Sequence, residues 1–415
     1  MSHKNIGVLI NCLEIGGAQN MFLTLCRHLE SKGYTVHRIL LDNTIEMELS
    51  PKERKAVTIL GRLPIQAPTW MKLLNAPFQY LALIRFLRRH RIDLMISFME
   101  RSNIISLLLP RWVATPIVSI RNAVGSIIKL KNKNRFKARL IRFFYPLLMQ
   151  RARNINFNSV DSRNDFLRTF HPRADKTSVI YNFYHFDERK SGTHRLPRHF
   201  SKLCQSKPVI LAGGRMVANK GFGHLIRAFS ALARENKEVQ LIILGNGPDR
   251  ARLTQLIREN QLESRIHLPG FQTPIIPWAE AATCFVLPSL AEGFPNILME
   301  SMSTGCPVIA ADCIAGPREI LQPRFTNHRI QEMTQGPYGI LTPALSGAQY
   351  QSQSPLEPAE QALHKAMETL LVDGSLRNRL SRQARARVLD FSPQSQGDKW
   401  ISLIHRLSQN PEAEI

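Results

Sequence analysis

The fold of this chain is decided by residues 284–300, which read CFVLPSLAEGFPNILME. The apolar run Cys284–Leu287 predicts a buried strand, and Pro295 suits the first turn of a helix that follows it. Glu292 lies in the loop between strand and helix, and Glu300 lies within the helix. Two carboxylates placed in this way can contact two different parts of one ligand. The alternative is a pair of surface glutamates that stabilise the first helical turn.

The same alternation of strand and helix runs along the chain. Helical patterns such as Ala18–Leu29 and Phe78–Arg89 lie between short apolar runs. The predicted strands are Ile6–Ile10, Thr35–Leu41, Leu94–Phe98, Ile117–Ile120, Ile155–Phe157 and Ser178–Tyr181, then Val209–Ala212, Val239–Leu244, Ile266–Leu268, Cys284–Leu287, Val308–Ala310 and Gly339–Leu341. Apolar strands alternating with helices indicate parallel sheets covered on both faces. The predicted fold class is therefore α/β: two doubly wound, Rossmann-like domains with parallel sheets facing across a cleft, where a ligand would bind.

The domain boundaries follow from changes in this pattern. We predict an N-terminal domain over residues 1–190, a polar linker over 191–207 and a C-terminal domain over 208–391. A last helix, within about 392–415, is expected to pack back on the N-terminal domain. A Ser- and Gln-rich stretch, 343–355, is predicted to be a surface insertion.

Composition narrows the class of protein. The chain has 415 residues, 44% of them hydrophobic and 21% charged, which is ordinary globular usage and excludes collagen-like and disordered chains. The six cysteines are scattered without metal spacing and predict reduced core residues. Neither a signal peptide nor a membrane-spanning segment is recognisable, so a cytoplasmic location is expected.

The charge is concentrated in the first half. Residues 1–200 carry 33 Lys and Arg against 13 Asp and Glu, whereas residues 201–415 carry 22 against 19. The densest cluster is Lys129, Lys131, Lys133, Arg135, Lys137, Arg139 and Arg142, interleaved with apolar residues. Such a segment suits an anionic membrane surface. A solvated basic helix over the core is one alternative. Nucleic acid is another, but it is not an expected partner because the chain carries no recognisable nucleic-acid-binding motif.

Three glycine turns follow predicted strands. Gly16 and Gly17 precede a helix, where free amides favour an anion. In the second turn, Gly213–Gly221, Arg215 and Lys220 supply two cations that can hold a diphosphate leaving group. The alternative is a loop with exposed basic residues. The third is Gly245–Pro248, which alone indicates only a loop.

Taken together, these motifs resemble the retaining glycosyltransferases of family 4, which have the GT-B fold. The resemblance covers almost the whole chain and rests on Glu292-x7-Glu300, Gly214-Arg215 with Lys220-Gly221, Gly245–Pro248 and Gly16-Gly17. Two further stretches, Gly316–Leu321 and Ser97–Asn103, look like bacterial members that build lipid-linked or surface polysaccharides, including N-acetylgalactosamine transferases.

The resemblance makes 1–190 the acceptor-side domain and 208–391 the nucleotide-sugar-binding domain, and it implies a role for each site residue. Arg215 and Lys220 would bind the donor diphosphate, and the amides of Gly16 and Gly17 would close over it. Glu292 would lie beside the donor sugar and Glu300 would hold the ribose. The remaining substrate-binding residues would be Gly293, Phe294 and Pro295 at the sugar hydroxyls, and Gly270 and Phe271 in a segment, His267–Phe271, at the nucleotide base. Family members often place a histidine after the fourth strand of the first domain, and Arg121 stands near that position here.

The resemblance also implies the reaction. The chain would be a metal-independent, retaining hexosyltransferase that moves a hexose or N-acetylhexosamine from a UDP-sugar to a lipid-linked, surface-polysaccharide or lipopolysaccharide precursor. No cofactor is expected, because the nucleotide sugar is a substrate and the sequence has no Asp-x-Asp pair or metal-ligand cluster. The protein would work at the cytoplasmic face of the inner membrane as a peripheral protein. The alternatives are a nucleotide-sugar epimerase or hydrolase of the same fold, and a basic membrane- or nucleic-acid-binding protein without catalysis.

Overall fold

A computed structural model describes residues 5–122, 144–171, 173–184, 195–322, 329–347 and 354–409. The chain divides into two compact units. The first unit combines Met1–Tyr184 with Phe391–Ile415, and the second unit is His185–Asp390. No helix within the described residues is both long enough and apolar enough to cross a bilayer.

The first unit is built on a parallel seven-stranded sheet in the order β3-β2-β1-β4-β5-β6-β7. Its strands are β1 (Asn5–Ile10), β2 (Thr35–Leu40), β3 (Val57–Ile59), β4 (Leu94–Phe98), β5 (Thr115–Ile120), β6 (Asn154–Phe157) and β7 (Thr177–Val179). The helices between them are α1 (Gly17–Ser31), α2 (Pro51–Lys55), α3 (Thr69–Arg89), α4 (Glu100–Leu108) and α5 (Val160–Phe170). Phe98 pairs with Ser119, and Ile120 with Phe157. The loops after β4, β5 and β6 therefore meet at one edge of the sheet.

The second unit repeats the plan with the strand order β10-β9-β8-β11-β12-β14-β13, in which only the edge strand β13 is antiparallel. Its strands are β8 (Val209–Gly213), β9 (Gln240–Leu244), β10 (Ile266–Gly270), β11 (Cys284–Leu287), β12 (Val308–Ala311), β13 (Thr334–Gln335) and β14 (Ile340–Thr342). Its helices are α6 (Arg198–Ser206), α7 (Phe222–Glu235), α8 (Arg250–Glu259), α9 (Ile276–Ala281), α10 (Asn296–Ser303), α11 (Pro317–Leu321), α12 (Pro358–Val372) and α13 (Gly374–Val388).

The chain then returns to the first unit through α14 (Asp398–Gln409). Trp400, Leu403 and Ile404 of this helix are buried in the same hydrophobic cluster as the apolar side chains of β1 and α1. His28 of α1 also lies 3.1 Å from a carboxylate oxygen of Asp398. The last helix is thus an integral part of the first unit's core.

Each predicted strand coincides with an observed one, and the sheets are doubly wound as predicted. The strands β3 and β13 were not predicted. The predicted linker, 191–207, contains the helix α6, in which the Phe200 ring packs 5.0 Å from that of Trp278. The cluster from Lys129 to Arg142 lies outside the described residues.

Candidate functional site

The turn after β8 requires glycine at its end. Gly221 has a φ of +67°, and a Cβ placed there would lie 1.9 Å from the carbonyl oxygen of Pro288. This close approach brings the β8 turn against the loop after β11, and Leu290 donates its amide to the carbonyl of Asn219 over 2.8 Å. Lys220 is thereby held beside the loop that carries Glu292.

Lys220 and Glu292 form an ion pair. The ammonium nitrogen lies 2.6 Å from Oε1 of Glu292, and their side chains are 22% and 10% exposed. The hydroxyl of Ser289 donates to the same oxygen over 2.6 Å. An ammonium has three N–H donors, and this pair uses one of them. The pair therefore joins a cation that has further N–H donors to an oriented carboxylate at the carboxyl edge of the sheet.

Arg215 lies in the same turn, five residues before Lys220. Arg215 is exposed. A Cβ placed at its neighbour Gly214 would lie 3.8 Å from the aliphatic stem of Lys220. The turn thus brings the two predicted phosphate-binding residues, Arg215 and Lys220, to one edge of the second unit.

The segment Gly293–Pro295 is buried under the turn after β12. Gly316 has a φ of +94°, and a Cβ there would lie 2.6 Å from Cδ of Pro295. Beyond this contact, Arg318 makes a buried ion pair with Asp312, whose carboxylate also accepts the amide of Ile330. Rigid packing of this kind fixes the backbone next to Glu292.

Glu300 is half-buried within α10, eight residues after Glu292. The two carboxylates thus lie on a loop and on the helix that follows it, as the sequence predicted. The thiol of Cys313 is buried near Glu292. Its burial and, to a smaller extent, the negative charge of Glu292 raise the pKa of this thiol well above its usual value. Cys313 therefore remains a neutral thiol.

The loop after β9 joins the same edge. Gly245 donates its amide to the carbonyl of Gly270 over 2.7 Å, and Met216 donates to the carbonyl of Asn246 over 2.8 Å. Phe271, directly after Gly270, is 45% exposed. An exposed aromatic ring in this position can stack on a planar group.

Gly16, Gly17 and Arg121 lie in the first unit. Gly16 precedes α1 with extended backbone, and Gly17 begins the helix with an exposed position. Near this turn Met99 has a φ of +72°, and Gln19 donates a hydrogen bond to its sulfur over 3.8 Å. A non-glycine residue in this conformation is strained, and such strain clusters at functional sites.

Arg121 is buried at the end of β5, with 8% of its surface exposed. One of its terminal nitrogens donates to Oδ1 of Asn182 over 2.8 Å, and the guanidinium lies 4.7 Å from the centre of the Phe98 ring. The Nε and Nη2 atoms are buried and make no hydrogen bond with the described residues. Burial lowers the pKa of this guanidinium to about 9. Within the described part of the chain, Arg121 is therefore a buried cation whose Nε and Nη2 donors are available for a polar ligand.

Sequence reasoning assigned no role to three residues that support these sites. Ser289 orients Glu292. The sequence indicates this only by placing the serine three positions before the glutamate. Asn182 and Asn158 contact Arg121 through its side chain and its carbonyl, from segments more than thirty residues away. No group of three or more His, Cys, Asp or Glu side chains that could hold a metal occurs in the described ranges.

Two family profiles match the chain, one in each half. Residues 15–188 match "Glycosyltransferase Family 4", and residues 207–335 match "Glycosyl transferases group 1".

Two similar proteins of known name are also glycosyltransferases, and a solved structure has a similar fold. An N-acetylgalactosamine-N,N'-diacetylbacillosaminyl-diphospho-undecaprenol 4-alpha-N-acetylgalactosaminyltransferase of Campylobacter jejuni is 27% identical over 94% of this chain and 96% of its own length. A lipopolysaccharide 1,6-galactosyltransferase of Salmonella typhimurium is 39% identical over 29% of this chain and 34% of its own. The Anabaena protein HepE, solved in complex with UDP, superposes with a TM-score of 0.73 and 20% identity over 97% of this chain and 100% of its own. The predicted GT-B fold is confirmed by this likeness and by the two doubly wound sheets.

Proposed function

We propose that this chain, which belongs to glycosyltransferase family 4, transfers a hexose or N-acetylhexosamine from a UDP-sugar to a lipid-linked or surface-polysaccharide precursor. The observation that carries the proposal is the Lys220–Glu292 pair, held at the carboxyl edge of the second sheet by glycine turns. That edge is where open α/β sheets bind their ligands.

The donor diphosphate is assigned to Arg215 and Lys220. Breaking the bond between sugar and phosphate leaves negative charge on the nucleoside diphosphate, and fixed cations that meet this charge lower the barrier. Lys220 would turn from Glu292 to the phosphate when the donor binds. Glu292, held by Ser289 at 2.6 Å, then remains beside the sugar. The backbone of Gly293–Pro295 would bind sugar hydroxyls, Glu300 the ribose, and Gly270 and Phe271 the base.

Arg121 would replace the family's histidine in the first unit, and the Gly16 and Gly17 amides would close over the diphosphate. The Nε and Nη2 atoms of Arg121 are buried and make no hydrogen bond within the described residues. They support this role, because a desolvated cation is stabilised when a polar or anionic group completes its hydrogen bonds.

We also propose retention of configuration without a divalent ion. The acceptor hydroxyl would attack from the face that the phosphate leaves, guided by a phosphate oxygen. The hydroxyl of Ser289 donates to Oε1 of Glu292 and would still do so with the donor bound, which suits an electrostatic role of this carboxylate better than a nucleophilic one. Proton NMR of the product should show the donor's anomeric configuration, and EDTA should leave the rate unchanged. A covalent sugar adduct on Glu292 in mass spectra would refute this mechanism.

The names of the relatives support the donor and acceptor classes. HepE was solved with UDP, and the Campylobacter enzyme is named for an undecaprenol-diphosphate-linked acceptor. A lipid-linked acceptor would place this chain at the cytoplasmic face of the inner membrane. The cluster from Lys129 to Arg142 is proposed to assist docking there.

The test is an incubation of the full chain with a panel of UDP-, GDP- and ADP-sugars and a lipid extract. We expect nucleotide release that depends on the extract, together with a glycolipid heavier by one sugar. E292A and E300A should lower both, whereas E332A, at an exposed glutamate, should not. Release of free sugar or an epimer without glycolipid extension would instead identify a hydrolase or epimerase.

A further inference from the structure

Helix α3 of the first unit is apolar on two opposite faces. Leu83 and Leu87 are fully buried, and Gln79 on the same face donates to the carbonyl of Leu41 over 2.6 Å. The opposite face carries large apolar side chains that are exposed: Trp70 by 63%, Leu74 by 67%, Phe78 by 71% and Leu81 by 49%. At about 100° per residue, these four fall within an arc of about 80° that is centred opposite Leu83.

A stripe of exposed apolar side chains is unfavourable on a surface that contacts only water. Four large apolar residues in one row form a contiguous patch, and such patches mark interaction sites on soluble domains. We name this surface the α3 stripe and define it as Trp70, Leu74, Phe78 and Leu81. It extends along about 17 Å of helix.

The C-terminal half of α3 contacts the end of α4 and the residues just after it, which expose two more large apolar side chains. The hydroxyl of Tyr80 donates to the carbonyl of Leu108 over 2.9 Å, and the guanidinium of Arg88 lies 5.5 Å from the centre of the Trp112 ring. Leu108 and Trp112 are 49% and 72% exposed. Two tryptophans therefore stand at separate points of one apolar surface.

The charged residues of α3 and of the sequence next to it have a single sign. Residues 54–92 contain eight Lys and Arg and no Asp or Glu. Arg85 and Arg88 are exposed and, by helical spacing, continue the arc of the stripe toward the end of α3. The surface therefore combines an apolar centre, tryptophans at its margins and cations without counter-charges on the helix.

We infer that the α3 stripe docks this protein onto an anionic lipid bilayer. Tryptophan is enriched where membrane meets water, an apolar helix face inserts among the acyl chains, and cations next to it bind acidic headgroups. A protein partner would favour a rim of mixed polar groups. The inference rests on the proposed function, because it names the surface that would hold the chain at the membrane of its lipid-linked acceptor. This surface is separate from the basic cluster Lys129–Arg142.

Vesicle co-sedimentation of the full chain tests it. We expect binding to vesicles of phosphatidylethanolamine with phosphatidylglycerol and much weaker binding to phosphatidylcholine alone. W70S/F78S should lower the partition coefficient at least about tenfold, because two large apolar side chains no longer insert. The matched control is V372S/L389S, which removes two apolar residues that are 81% and 63% exposed in the second unit and should bind like wild type. Because all four side chains are exposed, circular dichroism should show unchanged unfolding temperatures.

Tryptophan fluorescence gives a second measurement. The chain has four tryptophans, and Trp278 and Trp400 are buried, whereas Trp70 and Trp112 belong to the proposed surface. Brominated phosphatidylglycerol should quench the wild-type emission, and W70F/W112F should bind vesicles but lose most of the quenching.

Three outcomes would overturn the inference. In the first, W70S/F78S binds vesicles as well as wild type does. This includes the case in which K131E/K133E/R135E/K137E abolishes binding and W70S/F78S does not. The second is a concentration-dependent dimer that W70S/F78S dissociates, which would assign the stripe to a second copy of the chain. The third is wild type that binds no vesicles. Sugar transfer in detergent-solubilised extract is measured alongside, so that failure of docking and failure of the proposed reaction are told apart.

Discussion

The ammonium of Lys220 and the carboxylate of Glu292 lie 2.6 Å apart although 72 residues separate them in sequence. The contact joins the turn after β8 to the loop after β11, and the hydroxyl of Ser289 shares the same carboxylate oxygen. The residue proposed to bind phosphate and the residue proposed to lie beside the sugar are therefore coupled before any donor arrives. Binding of the diphosphate would exchange one anion for another around Lys220.

Loss of the cation at Lys220 should act mainly on the rate of sugar transfer and much less on the free energy of unfolding. We expect K220M to lower kcat by about 10²–10³-fold, which is the effect of removing one preorganised group that meets transition-state charge. The rate of nucleotide release with donor and lipid extract measures this. K237M, at an exposed lysine of the same unit, is the matched control. A K220M rate equal to that of wild type would remove Lys220 from the proposed mechanism.

The glycine at position 221 should be indispensable for folding of the second unit. G221A would place a methyl group 1.9 Å from the carbonyl oxygen of Pro288 at a φ of +67°, so the β8 turn and the β11 loop must separate. We expect a loss of at least about 3 kcal/mol in the free energy of unfolding, measured in urea. G347A is the control, because, among the described residues and apart from its chain neighbours, no atom lies within 4 Å of a Cβ at Gly347. Equal stability of the two variants would contradict the packing described here.

The sequence predicted the sheets well because each central strand is a short, mostly apolar run between polar turns. It missed Val57–Ile59, which is only three residues long, and the helix Arg198–Ser206, whose polar composition hides its packing against Trp278. It also located Glu292 and Lys220 without showing that they touch. Contacts of this kind depend on which strands become neighbours, and local periodicity carries no record of that.

A buried cluster in the second unit should make stability fall in acid. Glu360 is fully buried and lies 2.8 Å from His224 and 2.9 Å from Arg227, joining α12 to α7. Burial raises the pKa of this carboxyl, but hydrogen bonds from His224 and Arg227 outweigh burial, so the net pKa lies below its usual value. The stabilisation is complete above the unfolded pKa and is lost as the pH falls through the lower folded pKa.

Substitution of that carboxyl gives the measurement. E360Q removes the counter-charge of a buried guanidinium and should cost about 3–5 kcal/mol in the free energy of unfolding near neutral pH. Its urea midpoint should also vary less than that of wild type below pH 4.5, the carboxyl's ordinary pKa. E368Q, in the same helix, should behave as wild type. An acid dependence of E360Q identical to that of wild type would contradict the assignment.

Arg121 should trade stability for function. Its guanidinium is buried with two nitrogens that make no hydrogen bond to described residues, so the folded protein bears the desolvation cost of a cation. R121M keeps an aliphatic stem beside Phe98 and removes the charge. We expect it to unfold at a free energy equal to or up to about 3 kcal/mol above that of wild type, as when buried ions are replaced by apolar groups. Sugar transfer should nevertheless fall.

The pH dependence of R121M separates this effect from simple repacking. Burial lowers the pKa of Arg121 to about 9, below its ordinary 12.5, so the unfolded chain binds more protons between these values. The wild-type free energy of unfolding should therefore gain a rising contribution as the pH increases above 9, and R121M should lack it. R168M, at an exposed arginine of the first unit, should retain it. If R121M proves less stable than wild type yet fully active, Arg121 serves the fold and not the substrate.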